Sequence, residues 1–278
     1  MCRLYGFRAN APSKVDCSLV KAQNALLQQS RRDERGLENA DGWGIAYHLN
    51  GTPKVLKRYT AAHADVEFSE AATEIAAPTL IAHVRRATVG RSQIENTHPF
   101  FRGRWTFAHN GTVTAFERVA PRLEAETEPR LLGERRGTTD SELLFLWLLG
   151  RFAAEGIDLD SPLDDLGRTL EIFAGSVARA AELSNAEGAE EEAKLNLLLT
   201  DGHALMASRW GNSLHVLQRE GVQDCEICGI GHVDAPHRQG YRAAIAASEP
   251  ITNEAWRPVP ERNVLAIDAD IGVLLASI

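Results

Sequence analysis

TLIAHVRRATVGRSQIENTHPFFRGRWTFAHNGTV, residues 79–113, holds two apolar runs, TLIAHV (79–84) and RWTFAHN (104–110), each ending in polar residues. Both runs read as buried strands. Upstream, CRLYGFR (2–8) is a third strand, and residues 13–29 carry Val15, Leu19, Ala22, Leu26 and Leu27 at the spacing of an amphipathic helix. WGIAYHL and KVLKRYT flank Asn50-Gly51 and predict a hairpin, and residues 66–76 predict a helix. Downstream, residues 117–137 are charged, contain Pro121 and Pro129, and read as a surface excursion. Residues 141–154 predict a helix apolar on nearly every side and therefore buried. A second helix is expected from Ser161-Pro162 to about Leu183, followed by the acidic linker NAEGAEEEAK (185–194). LNLLLTDG, HALMASRW and SLHVLQRE then predict a strand meander, which YRAAIAASEP, NVLAIDAD and GVLLASI complete. Strands, a helix pair and more strands with short connections predict an α+β fold rather than a doubly wound sheet. Residues 1–278 are read as one domain.

The chain has 278 residues, 44% hydrophobic and 24% charged, with a formal net charge of -8. That is globular composition, and the acidic balance without a basic, aromatic-rich stripe argues against nucleic-acid binding. No apolar run reaches the length of a membrane span or a signal peptide, so a cytoplasmic protein is expected. Cys2, Cys17, Cys225 and Cys228 are then expected as free thiols or ligands rather than disulfides.

Functional side chains gather at strand ends and turns, where a rigid scaffold places sites. Cys2 follows Met1, so removal of Met1 would put a thiol and a free α-amine on one residue. Asn110-Gly111 fits a type I′ turn, or a pair of donors for a developing oxyanion. Arg85 ends a strand and offers a fork suited to a carboxylate, with the Thr88 hydroxyl nearby; the alternative is a structural ion pair. Asp140 precedes a helix, where it is an N-cap, in competition with Thr139, or a counter-charge for an ammonium group. His98 reads as a hydrogen-bonded histidine or a base, and His83 as a core residue. Gly42 and Gly44 flank Trp43, which reads as a site wall or a core anchor.

In order, these segments resemble the class II glutamine amidotransferase domain, an N-terminal nucleophile hydrolase. The shared motifs are Cys2, Arg85-Arg86-Ala87-Thr88, Asn96-Thr97-His98-Pro99, His109-Asn110-Gly111 and Thr139-Asp140-Ser141-Glu142. ADGWG (40–44), NTHPF (96–100) and ASEP (247–250) resemble the stand-alone branch of that family, which includes the amidohydrolase of ergothioneine biosynthesis and short bacterial amidotransferase-like proteins. The resemblance implies a four-layer αββα sandwich of two mainly antiparallel sheets. It implies that Cys2 attacks the γ-amide of glutamine or a γ-glutamyl conjugate, with its own α-amine as base and no cofactor. Asn110 and Gly111 would stabilise the oxyanion, Arg85 and Thr88 would hold the α-carboxylate, and Asp140 the α-ammonium. His98 and Trp43 are further substrate-binding candidates. Residues 145–278 are consumed in finishing the sandwich, so the expectation is hydrolysis to glutamate plus an amine. The alternatives are ammonia delivery to a separate synthase partner, and a non-catalytic module that binds γ-glutamyl metabolites. A homodimer is the expected assembly.

A further segment, DCEICGIGHVDAPH, carries Cys225, Cys228, His232 and His237. A Cys-x-x-Cys knuckle with two histidines matches a tetrahedral zinc site; two reduced thiols in a polar loop is the other reading. The resemblance assigns this loop nothing.

Overall fold

A computed structural model describes residues 2–188, 190–222 and 225–278 of the chain. Its layering follows from alternation along the first strand, β1 (Arg3–Lys14). Tyr5, Phe7 and Ala9 face one apolar cluster, whereas Leu4 faces another, as the two-residue period of a strand requires.

Beside β1 run β2 (Trp43–Leu49), β3 (Thr52–Arg58), β4 (Ala76–Val84), β9 (His215–Glu220), β10 (Arg242–Ala247) and β11 (Arg257–Pro258). They form a seven-stranded sheet in the order β11-β9-β10-β1-β4-β2-β3. The second sheet contains β5 (Phe100–Arg102), β6 (Trp105–Thr112), β7 (Lys194–Thr200), β8 (Leu205–Arg209), β12 (Asn263–Ile267) and β13 (Val273–Ser277), in the order β13-β12-β8-β7-β6-β5. Neighbouring strands pair antiparallel in both.

Leu4 and Ile81 of the first sheet meet Ala108, Leu198, Leu205 and Leu265 of the second, and this contact is the core between the sheets. The outer face of the first sheet packs Tyr5, Phe7, Trp43 and Ile45 on α1 (Leu26–Arg31) and α2 (Val66–Glu74). The outer face of the second is covered by α3 (Phe116–Glu126), α4 (Pro129–Leu132), α5 (Asp140–Ala154) and α6 (Leu166–Ala186). Phe107 of β6 stacks on Phe145 of α5 at 5.2 Å. The result is an αββα sandwich. No helix among the described residues is long and apolar enough to cross a membrane.

Several local expectations change. Residues 13–29 do not form one helix: β1 runs to Lys14, a π-helical turn spans Cys17–Lys21, and α1 starts only at Leu26. Val15, Leu19, Ala22, Leu26 and Leu27 are nevertheless all buried, so their spacing reported burial rather than a continuous helix. Residues 117–137 are not an excursion, since Val119, Leu123 and Leu131 bury α3 and α4 against α5. The second long helix starts at Leu166, not Pro162, because the Asp165 carboxylate caps it by accepting from Arg168 N at 2.9 Å. Of the acidic stretch 185–194, Ala189 lies outside the described residues; α6 ends at Ala186 and β7 begins at Lys194.

Candidate active site

Register brings the first components together. Arg3 pairs with Val84 across β1 and β4, so Cys2 lies beside the residues that follow β4, Arg85 and Arg86. The Arg86 N–H donates to Cys2 Sγ at 3.3 Å, and the thiol lies 3.4 Å from the Arg86 carbonyl, to which it donates. Burial pushes the Cys2 thiol above its ordinary range, against the lowering effect of the Arg86 N–H. At neutral pH the sulfur therefore rests protonated. Met1 lies outside the described residues.

Arg3 fixes the main chain at this point. Its Nη1 donates to the Cys2 carbonyl at 3.0 Å, its Nη2 meets Asp33 Oδ2 at 2.9 Å, and its Nε meets Glu249 Oε1 at 2.5 Å. All three side chains are buried. Removing the cation strands two buried carboxylates, so Arg3→Met is expected to lower stability by about 3–5 kcal/mol. Urea denaturation measures this, and the triple variant Arg3→Met, Asp33→Asn, Glu249→Gln is expected to recover most of the loss.

The second sheet supplies the opposite side. β6 continues through Asn110-Gly111, where Asn110 pairs with Asn196 and Gly111 with Leu195 of β7, so this pair is strand and not a turn. Gly111 has no alternative: a Cβ there would lie 1.7 Å from the Lys194 carbonyl oxygen. Beyond β6, Asp140 Oδ2 accepts from Val113 N at 2.8 Å and Oδ1 accepts from Ser141 N at 2.8 Å. The α5 N-cap itself is Thr139, whose hydroxyl accepts from Glu142 N at 3.2 Å. Asp140 is buried beside it, one edge of its carboxylate lining the cleft.

Cys2, Arg85, Thr88, His98, Gly111 and Asp140 line one narrow cleft open to solvent. Arg85 is buried, and its guanidinium donates only to carbonyls, Val89 O at 2.8 Å and Gly90 O and Arg91 O at 3.4 Å each. Among the described residues it has no carboxylate within ion-pair distance, and Asp140 has no cation. Thr88 Oγ1 lies 3.1 Å from Thr112 Oγ1.

Asn110 sits behind this lining rather than in it. Its Nδ2 is 3.3 Å from Ser248 Oγ, and its Oδ1 is buried without a hydrogen-bond partner. Trp43 is not a site wall. It packs edge-on against Phe68 at 5.3 Å and donates Nε1–H to Asp65 Oδ2 at 2.8 Å, which makes it an anchor of the outer core. Apolar area on both sides of its ring outweighs anything a solvent-facing position would offer.

Three buried histidines back the cleft. His83 and His98 lie with ring centroids 4.3 Å apart, and His98 meets Phe100 at 4.6 Å. Burial lowers the pKa of His98 well below its ordinary value and takes His83 to about 3. Burial also lowers His109, partly opposed by Asp140. A neutral His109 donates Nε2–H to Lys194 O at 2.8 Å and accepts from Ser141 Oγ at Nδ1, 2.9 Å away. A neutral His98 is a weak base, which disfavours the proton-accepting role.

Several supporting residues escaped sequence reasoning. Asp41 Oδ2 accepts from Ala87 N at 2.8 Å, and Asn96 Oδ1 accepts from Thr138 N at 2.9 Å, so each ties one cleft loop to another. Asp41, Asn96 and Ser141 stood inside quoted motifs, whereas nothing local marked Arg3 or Asp33. The zinc expectation also changes. Cys225, Cys228 and His232 come together with Cys17, while His237 lies exposed on a separate turn (Ala235–His237).

The profile of the family described as glutamine amidotransferases class-II matches residues 1–271. The chain belongs to the class-II glutamine amidotransferases. It is therefore an enzyme of the group acting on carbon–nitrogen amide bonds. Among its relatives, the probable glutamine amidotransferase DUG3 of Saccharomyces cerevisiae is 28% identical over 96% of this chain and 82% of its own length. A gamma-glutamyl-hercynylcysteine sulfoxide hydrolase of Mycobacterium tuberculosis is 28% identical over 96% of this chain and 93% of its own. The fold matches the solved structure of a glutamine aminotransferase class-II domain protein from Silicibacter pomeroyi, with a TM-score of 0.64 and 19% identity over 100% of this chain and 99% of that one. In this amidotransferase Cys2, Arg85, Thr88, His98, Gly111 and Asp140 line the cleft, with Asn110 behind it.

Proposed function

We propose that this amidotransferase is an N-terminal-cysteine amidohydrolase that cleaves the γ-amide of a γ-glutamyl compound through a γ-glutamyl thioester. The observation that carries this reading is the charge pattern of the cleft. A buried cation, Arg85, and a buried anion, Asp140, both lack a charged partner among the described residues and share one cleft with a thiol. Unpaired buried charges are costly, and a bound zwitterion would neutralise both at once. An amino-acid head group has that charge distribution, and its side chain would extend toward Cys2.

Once Met1 is removed, the Cys2 α-amine takes the thiol proton and the thiolate attacks the γ-carbonyl carbon. The oxyanion is held by Gly111 and Asn110. The Asn110 amide acts in the turned orientation. Ser248 Oγ already accepts Leu4 N–H at 3.0 Å, so its own proton calls for an acceptor, which Asn110 Oδ1 becomes when the amide rotates. Nδ2 then occupies the site left without a partner. The protonated α-amine returns its proton to the departing amine, and water, activated by the same amine, cleaves the thioester to glutamate. Arg85 and Thr88 receive the α-carboxylate and Asp140 the α-ammonium. Hydrolysis is favoured over ammonia delivery by the likeness to the mycobacterial hydrolase, whose length this chain nearly spans.

The test joins intact-mass spectrometry to reaction with 6-diazo-5-oxo-norleucine, a glutamine-like alkylator. Loss of Met1 and a single adduct on Cys2 are expected, followed by turnover of glutamine or γ-glutamyl amides. Retained Met1 and no adduct in a well-folded protein would overturn the reading in favour of a binding module. Arg85→Lys keeps the charge but loses the fork, so KM is expected to rise about 10–100-fold with kcat changed only a few-fold. Initial rates across a substrate range measure it.

A further inference from the structure

We propose that Cys17, Cys225, Cys228 and His232 bind one zinc ion that fastens the loop between β9 and β10 to the far end of β1. The candidate donor atoms of these four residues all lie within 4.8 Å of one another. Tetrahedral zinc with bonds of about 2.3 Å to sulfur needs donors roughly 3.8 Å apart, so a contraction of less than about 1 Å closes the set. Cys228 Sγ and His232 Nε2 are already 3.4 Å apart.

The surroundings suit a metal. The other ring nitrogen of His232, Nδ1, faces Asp16 Oδ1 at 3.3 Å, and Lys21 holds Asp16 through Oδ2 at 2.6 Å. A carboxylate behind the ring keeps the proton on Nδ1 and leaves the Nε2 lone pair for the ion. The knuckle is shaped by Gly229 N–H donating to Cys225 O at 2.7 Å and Cys225 N–H donating to Ile230 O at 3.1 Å. Lys14 N–H donates to His232 O at 2.9 Å, and Ser13 bridges Val233, so the loop reaches Cys17 along the end of β1.

Packing gives the Cys225–Ile230 knuckle little. Among the described residues of the loop Ile227 and Ile230 are exposed, and its buried apolar anchors are Val233 and, at its far end, Tyr241. A metal would supply the missing constraint between segments some two hundred positions apart in the chain. Three cysteines and one histidine leave no open position, the pattern of a structural rather than catalytic site. Cys2 stands at the opposite end of β1, on the order of 30 Å away by strand rise. On binding, the three thiols release their protons to solvent while the imidazole stays neutral at Nε2.

The test is metal content by inductively coupled plasma mass spectrometry on full-length protein purified without chelator, followed by cobalt(II) reconstitution after reduction. About one zinc per chain is expected, kept in His237→Ala and lost in Cys17→Ser. Cobalt is expected to give a thiolate charge-transfer band that weakens in Cys17→Ser. Cys17 is the discriminating residue, since a knuckle-only site would not need it. Full zinc in Cys17→Ser overturns the proposal. So does wild-type protein that, fully reduced, takes up neither zinc nor cobalt, including one isolated with a Cys17 disulfide. The wild-type measurements decide the matter even where a cysteine variant does not fold.

Discussion

Cys2→Ala is expected to lose turnover by about 10⁴-fold or more while keeping the fold and the ability to bind substrate. The loss is so large because the residue supplies the nucleophile, and no other cysteine lines the cleft. Alanine is small, so Met1 removal and the α-amine are preserved, and the variant isolates the sulfur from the base. Cys2 is buried, but its thiol makes only weak sulfur hydrogen bonds, with Arg86 N at 3.3 Å and Arg86 O at 3.4 Å, so its loss leaves no strongly bound group stranded. Thermal melting should therefore move by only a few degrees. Titration calorimetry with glutamine or a γ-glutamyl amide should give the wild-type affinity within a few-fold, because Arg85 and Asp140 are untouched. Hydrolysis retained in the alanine variant would remove the thioester mechanism. Cys2→Ser separates acidity from position: its hydroxyl is harder to deprotonate, and a small residual rate is expected.

Stability is expected to fall steeply as pH drops below about 6.5. His83, His98 and His109 are buried, and burial lowers all three, His83 to about 3. Below about 6.5 the unfolded chain binds protons at these rings and the native protein does not. The proton count is then higher in the unfolded state, so stability rises with pH across this window and is lost on acidification. Each histidine contributes at most about 1.4 kcal/mol per pH unit, a slope His83 alone supplies near pH 5, and the lowering of His98 and His109 adds to it in the same direction. Melting followed by circular dichroism from pH 7.5 to 4.5 tests this. A flat melting temperature down to pH 5 would show that the rings are hydrated or charged in the native state. His83→Gln should flatten the slope by about one proton.

Strand identities were readable because an apolar run bounded by turn residues has few other outcomes. TLIAHV and RWTFAHN both became buried strands, and Asn50-Gly51 became the hairpin turn, with φ of 51° and 76° at the two positions. The second Asn-Gly pair, at 110–111, shows the limit of a local signal. The same dipeptide lies inside a strand because β7 pairs across it and the Lys194 carbonyl fills the space a side chain would need. The predicted meander failed for a similar reason. β7 and β8 are neighbours, but β9 crosses to the other sheet to pair with β10, and β12 returns to pair with β8. Alternating hydrophobicity states that a strand has a buried face, not which sheet buries it.

From its sequence alone, this chain was determined to be an α+β protein whose polar strand ends carry a thiol, a guanidinium, a carboxylate and an Asn-Gly pair in the order of an amidotransferase family. That much is local, since residue type and strand period are properties of short segments. Only tertiary structure decided which of those residues share a cleft, that Trp43 belongs to the core, and that Arg3 is locked between Asp33 and Glu249 behind Cys2. It also decided that Cys17, rather than His237, joins the Cys225 loop. These pairings span tens to hundreds of residues. They arise from sheet order and burial, where the cost of an unpaired buried charge selects its partner, and neither quantity is written in sequence spacing.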